Sequence, residues 1–227
     1  MYSYNECACV DMKSIERSFY YRGTEVLNME IEYPSVSGTG SGRTDRMINN
    51  RIKGQVNTFY DYVRNQLYRD AVDEYHTAME NNFPFREFSA VLAYNVTYNK
   101  NCHLSMFRDQ FQYTGGAHGS TIKMSDTWNI RTGRLVPMAD YFRPGADYKC
   151  IILNEAIKQA NKDPSIYFEN YAQLMNQYFN PESYYLSDDG LVIYYQEYEI
   201  APYASGLPTF TIPYSLLDYP PTCYRFM

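Results

Sequence analysis

Three histidines are spread over 227 residues, and His118 lies in a glycine-rich stretch, Thr114-Gly115-Gly116-Ala117-His118-Gly119. An imidazole titrates near neutral pH, so His118 is the loop residue suited to general-base work. That work needs an acidic or nucleophilic side chain within hydrogen-bond reach. Glycines at 115, 116 and 119 signal backbone in unusual conformations, or backbone drawn close to something else. Two other readings compete: a tight turn between strands, with the imidazole bonded to a neighbouring strand, and a loop that touches a partner. The turn is preferred, with Gly115, Gly116, His118 and Gly119 as its shaping residues.

Other groupings spell chemistry and lack its geometry. Cys102-His103 suggests a thiol–imidazole dyad, but adjacent residues of a strand face opposite ways. Ser120-Thr121-Ile122-Lys123 matches the acyl-serine pattern, which needs Ser and Lys on neighbouring helical turns; on a strand they diverge. His76 and Glu80, four apart on a helix, offer half of a metal site and no second pair. Cys7-x-Cys9 lacks the further Cys or His pair of a zinc knuckle. Gly38-Thr39-Gly40-Ser41-Gly42 stands where a phosphate loop stands, between strand and helix. There, position 43 is Arg, the preceding strand alternates, and no Lys-Ser/Thr pair follows. Carboxylate pairs for glycosidase work depend on three-dimensional separation, and Asp188-Asp189 reads as hairpin chemistry. The expectation is no catalytic residue, no metal and no cofactor.

A second unusual stretch is Tyr198-Glu199-Ile200-Ala201-Pro202-Tyr203-Ala204-Ser205-Gly206. Pro stiffens it, and exposed Tyr supplies contact area at low entropy cost, as in paratopes. It reads either as a loop packed on its own sheet or as an interaction surface. In the second reading Tyr198, Pro202, Tyr203, Ser205 and Gly206 are the contact residues.

The elements that hold these loops follow from periodicity. Residues 1–20 show no clear element. Leu27, Met29, Ile31 and Tyr33 alternate with polar residues, a strand ended by Pro34. Ile48, Ile52, Val56, Phe59, Val63, Leu67, Ala71 and Tyr75 recur at three- and four-residue steps. They predict a helix of more than 25 residues, capped by Thr44 or Asp45 and bending or breaking near Asp70. Phe88 to Tyr98 alternate on one face, residues 102–113 return, and Ile122 to Ile130 form a third strand: an antiparallel meander. A helix is predicted at 146–161. Another begins at Asp163-Pro164 and carries Tyr167, Tyr171, Leu174 and Tyr178. Tyr184–Leu186 and Leu191–Tyr195 form a hairpin, and Thr209–Tyr214 a last strand. Strands and helices run in blocks, which favours α+β with mainly antiparallel sheet, a long amphipathic helix after the first strand and two further helices before the last strands. The predicted division is an N-terminal extension (1–20), a strand plus long helix (21–84), the meander with two helices and hairpin (85–218), and a tail (219–227).

Composition narrows function. Hydrophobic residues make up 45% and charged residues 20%, enough for a real core. Net charge is −6, which argues against nucleic acid and acidic membranes as main partners. Tyrosines number 26, against 12 Phe and 1 Trp, so most rings need a polar partner at the tip. Five cysteines leave at least one thiol free within a monomer; the rest are free or form one incidental bridge. Residues 1–20 lack the apolar stretch of a signal peptide. The most apolar run, Phe88 to Val96, is far short of the roughly 20 residues needed to span a membrane. Both a cytosolic protein and an excised soluble part fit.

Taken in order, the strand ending Tyr33-Pro34, the long helix, Tyr-Thr-Gly-Gly-Ala-His-Gly (113–119), Tyr-Glu-Ile-Ala-Pro-Tyr-Ala-Ser-Gly (198–206) and Ile-Pro-Tyr (212–214) make a pattern. It resembles the extracytoplasmic domain of the RsiV-type anti-sigma factors of Gram-positive bacteria. The same module precedes the catalytic domain of the peptidoglycan deacetylase PdaC. The resemblance covers about residues 20–218. It implies an α+β sensor or binding module without its own catalysis, located outside the cytoplasm, with c-type lysozyme as protein partner or, alternatively, peptidoglycan glycan as ligand. The sequence departs from that pattern around the module: it has no sigma-binding segment, no membrane helix and no deacetylase domain. A charge of −6 would steer it towards a basic lysozyme.

Overall fold

The structure is a computed structural model that describes residues 6–223. Residues 1–5 of the expected extension and 224–227 of the expected tail lie outside that range. The chain is α+β. It runs β1 (Cys9–Tyr21), β2 (Thr24–Ser37), α1 (Gly42–Tyr62), a wide π turn (Val63–Leu67) and α2 (Tyr68–Glu80). Then come β3 (Phe88–Lys100), β4 (His103–Tyr113), β5 (Ser120–Asn129), β6 (Arg134–Leu135), α3 (Tyr148–Ala160) and α4 (Tyr171–Gln177). The hairpin β7 (Tyr184–Leu186) and β8 (Gly190–Tyr194) and then β9 (Thr209–Pro213) follow. Strands β1 to β6 form one sheet in chain order, and β7 to β9 form a second. Every neighbour pair is antiparallel except β2–β3, which is parallel because the long helix carries the chain back between them.

Two cores result. Leu27, Met29 and Ile31 of β2 and Leu92 of β3 pack against Ile48, Ile52, Phe59 and Leu67 of the long helix, all buried. Each such side chain contributes about 1.5–3 kcal/mol by leaving water. The second core joins Ile152 and Ala156 of α3 to Leu191, Ile193, Phe210 and Ile212 of the small sheet. Cys102 is bonded to Cys223, while Cys7, Cys9 and Cys150 are exposed thiols.

Six local expectations change. Residues 9–21 are a full strand, obscured in sequence because β1 is a sheet edge whose Asp11, Lys13, Glu16 and Arg17 face solvent. Pro34 does not end β2. It pairs with Met12 of β1, and β3 pairs only as far as Glu32, so no second ladder needs its missing N–H. The helix cap is Ser41, whose hydroxyl accepts from Thr44 N at 3.4 Å, and the irregularity lies at Val63–Leu67, not near Asp70. Tyr98 leaves the face shared by Phe88 to Tyr94, because a bulge between Val96 and Tyr98 turns it into the second core. The helix expected from Pro164 is a short 3-10 turn (Pro164–Ile166), a gap and then α4, because Phe168 N is spent on the Ile200 carbonyl at 3.0 Å.

Candidate functional site: two loops on the edge of the large sheet

The β4–β5 connection is built on close approach. A Cβ at Gly119 would fall 2.2 Å from the Phe111 ring and 2.7 Å from the Gln112 carbonyl, so only glycine fits. Gly115 has φ +82°. Arg86 Nη1 donates to the Gly116 carbonyl at 3.2 Å, and the Tyr113 hydroxyl donates to it at 3.1 Å. The result points His118 outward. Its Nδ1 donates to the Gly119 carbonyl at 2.8 Å, which leaves Nε2 as an acceptor facing the Tyr198 hydroxyl at 3.4 Å.

The second loop leaves β8 and folds along the free edge of β5. Gln196 acts as a substitute strand: Lys123 N donates to its Oε1 at 2.9 Å, and its Nε2 donates to Lys123 O at 2.8 Å. Thr121 N donates to Glu197 Oε1 at 3.0 Å. Glu199 Oε2 accepts from Gln196 N at 2.7 Å. Burial pushes the Glu199 carboxyl above its ordinary range, against the lowering effect of that hydrogen bond. These ties hold Tyr198 at φ +64°, a conformation that non-glycine residues seldom adopt, with its side chain exposed. Pro202 precedes a short turn, Tyr203–Ser205, and the Ser205 hydroxyl donates to the Ile166 carbonyl at 2.6 Å.

The two loops meet ring on ring. His118 stacks on Tyr203 with centroids 3.9 Å apart and planes at 18°, and Tyr198 lies 6.3 Å from Tyr203 at 27°. His118, Tyr198 and Tyr203 therefore form one surface, with exposed Pro202 beside it. Ser205 fixes the loop through its hydroxyl. Gly206, at φ +67°, lines a groove of about 560 Å³ under Tyr203.

That groove contains residues the sequence reading did not select: Lys123, Asp109, Glu197 and Tyr185. The Lys123 side chain is 7% exposed, sits 2.7 Å from Asp109 and lies 3.4 Å over the Phe107 ring. Desolvation lowers its pKa, opposed by Asp109. The β4–β5 register pairs Gln112 with Ser120 and so sets Asp109 opposite Lys123; counting back from the Thr114–Gly119 loop alone sets Asp109 opposite Met124, one residue off.

Other sequence groupings serve structure. Cys102 is in the disulfide and His103 is buried with Nδ1 on the Asn101 carbonyl. His76 Nε2 meets the Tyr21 hydroxyl at 3.0 Å. The Gly38–Gly42 loop is folded onto Asp45, which accepts from Thr39 N and Oγ1 at 3.2 and 2.6 Å. Among the described residues, no three of His, Cys, Asp or Glu cluster as metal ligands, and no helix is long and apolar enough to cross a membrane.

Residues 22–121 match the family model described as Deacetylase PdaC, and residues 139–215 match Protein of unknown function (DUF3298). The chain is similar to DUF3298 proteins. A DUF3298-family protein from Bacteroides fragilis shares the fold at TM-score 0.74 and 18% identity, covering 96% of this chain and 97% of its own. One from Pseudomonas aeruginosa does so at TM-score 0.61 and 17% identity, covering 95% and 99%. At such identities the likeness establishes the fold. No curated protein matches the chain in sequence. The PdaC match ends inside β5, just past His118, whereas the DUF3298 match contains the Tyr198–Gly206 loop. The aromatic surface is thus assembled from both segments.

Proposed function

We propose that this chain is a non-catalytic binding module of the bacterial envelope, acting outside the cytoplasm, that recognises a protein partner through His118, Tyr198, Pro202 and Tyr203. The partner is a basic c-type lysozyme. The observation that carries the reading is the stack of His118 on Tyr203 at 3.9 Å with exposed Tyr198 beside it. Rigid, half-wet rings on a braced loop give contact area with little ordering cost. The Cys102–Cys223 bond supports an oxidising compartment, and a net charge of −6 supports attraction to a basic partner.

Titration calorimetry against c-type lysozyme tests it. The expected result is salt-sensitive binding that Tyr203→Ala weakens by about tenfold or more, the loss typical of a central aromatic anchor. No heat, together with no inhibition of lysozyme, overturns it.

A second reading is favoured by the groove. Tyr185 and Tyr203 supply rings, while Asp109, Glu197 and Lys123 supply polar groups, the combination that holds a glycan. Retention of the chain on purified peptidoglycan, with no lysozyme present, would select this reading over the first.

A further inference from the structure

At the free edge of β5, between α1 and the segment leading into β7, lies a second cleft of about 280 Å³. Arg51 of α1, Arg108 of β4, Lys123 and Asp126 of β5 and exposed Glu182 line it. It adjoins a cavity of about 420 Å³ that shares Arg51 and Asp126 and has an apolar wall of Val136, Pro137 and Met138.

In this cleft two guanidiniums bear on one buried carboxylate, while the other acid, Glu182, is exposed. The Asp126 side chain is 4% exposed. Its Oδ1 accepts from Arg51 Nε at 3.0 Å and Nη2 at 2.8 Å. Its Oδ2 accepts from Gln55 Nε2 at 2.6 Å and Arg108 Nη1 at 3.3 Å. Four donors fill the carboxylate. Arg108 is poorly served in return, although its side chain is only 11% exposed. Nη1 makes the long contact to Asp126, Nη2 faces the Met124 sulfur at 3.3 Å, and Nε is buried without an acceptor. A guanidinium carries five N–H donors and cannot shed its charge. Two arginines thus share one buried carboxylate, and a buried donor left unmet is costly.

We infer that this cleft binds a small oxyanion, the carboxylate or phosphate of a ligand, through Arg108 and Arg51, with the adjoining apolar wall covering the ligand's body. Two guanidiniums from different elements meet at Asp126, and each guanidinium can present paired N–H groups to an oxyanion. The site lies between the two cores, a common position for ligand pockets. It shares Lys123 with the groove under Tyr203 and Gln196 with the brace of the aromatic loop, but it needs neither of the functions proposed for that surface.

The test titrates the full chain with inorganic phosphate, acetate and N-acetylalanine at constant ionic strength, with chloride as control, and reads the melting midpoint and calorimetric heat. A saturable rise with at least one probe is expected. Its pattern distinguishes phosphate from carboxylate and shows whether an apolar body adds affinity. Arg108→Gln should weaken binding by about tenfold, the worth of one charge-assisted contact. Glu182→Gln, which removes a like charge at the mouth, should strengthen it. If Arg108→Gln does not fold, Arg51→Gln carries the same expectation, because that side chain is 48% exposed. No saturable rise with any probe, or an equal rise in the arginine variant, overturns the inference.

Discussion

Glu199 shows how one side chain holds the aromatic surface in place. Its carboxylate accepts the Gln196 N–H, and Gln196 in turn pairs with both backbone groups of Lys123. Burial raises the carboxyl pKa above 4.5 in the fold. Between 4.5 and that raised value the folded chain binds more protons than the unfolded one, so stability falls as pH rises through the window. Glu199→Gln keeps the acceptor and removes the half-buried charge. Its expected effect is a melting midpoint higher by about 1–3 °C at neutral pH and unchanged below the window, read by thermal denaturation at both pH values. Equal midpoints at neutral pH would contradict it. At this scale the sequence was half legible. Glycine and tyrosine at unusual density marked both loops, and the loops do touch. Arg51, Arg108 and Asp126 carried no local mark, because α1, β4 and β5 bring them together only after folding.

The long helix illustrates what a pattern can encode at the scale of an element. From Phe59 to Tyr75 its inward residues step by four: Phe59, Val63, Leu67, Ala71, Tyr75. An α-helix turns 3.6 residues at a time, so each such step drifts about 40° away from the sheet. The π turn at Val63–Leu67 absorbs the drift and returns Leu67 and Ala71 to the core. The repeated step of four was visible in the sequence; the expected bend or break near Asp70 lies a few residues past the π turn. A π turn is one extra residue in an α-helix. Deleting exposed Asn65 should therefore restore a regular helix with both flanks still facing the sheet, and the melting midpoint should stay within about 5 °C of the parent. Deleting exposed Asn57, in the regular part of α1, rotates the flank by about 100° and should abolish cooperative melting. Equal damage from both deletions would refute the account. Edge strand β1 was hidden for the opposite reason, since an edge bearing charges carries little period-two signal.

For the whole molecule, the strongest single constraint is the Cys102–Cys223 bond, which spans 121 residues of sequence. Closing so long a loop restricts the unfolded chain by about 5 kcal/mol. Replacing both cysteines by serine should lower the melting midpoint by about 10 °C, measured without reductant. An unchanged midpoint would mean the bond is not formed in solution. The two cores also trap phenols. Tyr94 lies in the first core and Tyr184, Tyr195 and Tyr214 lie in or against the second. Desolvation raises all four above the ordinary 10.0. Above pH 10 the unfolded chain sheds protons that the folded chain keeps, so stability falls as alkalinity rises. These rings become optical reporters of the fold. In an alkaline titration, their phenolate absorbance should appear together with the loss of circular dichroism, in one cooperative step.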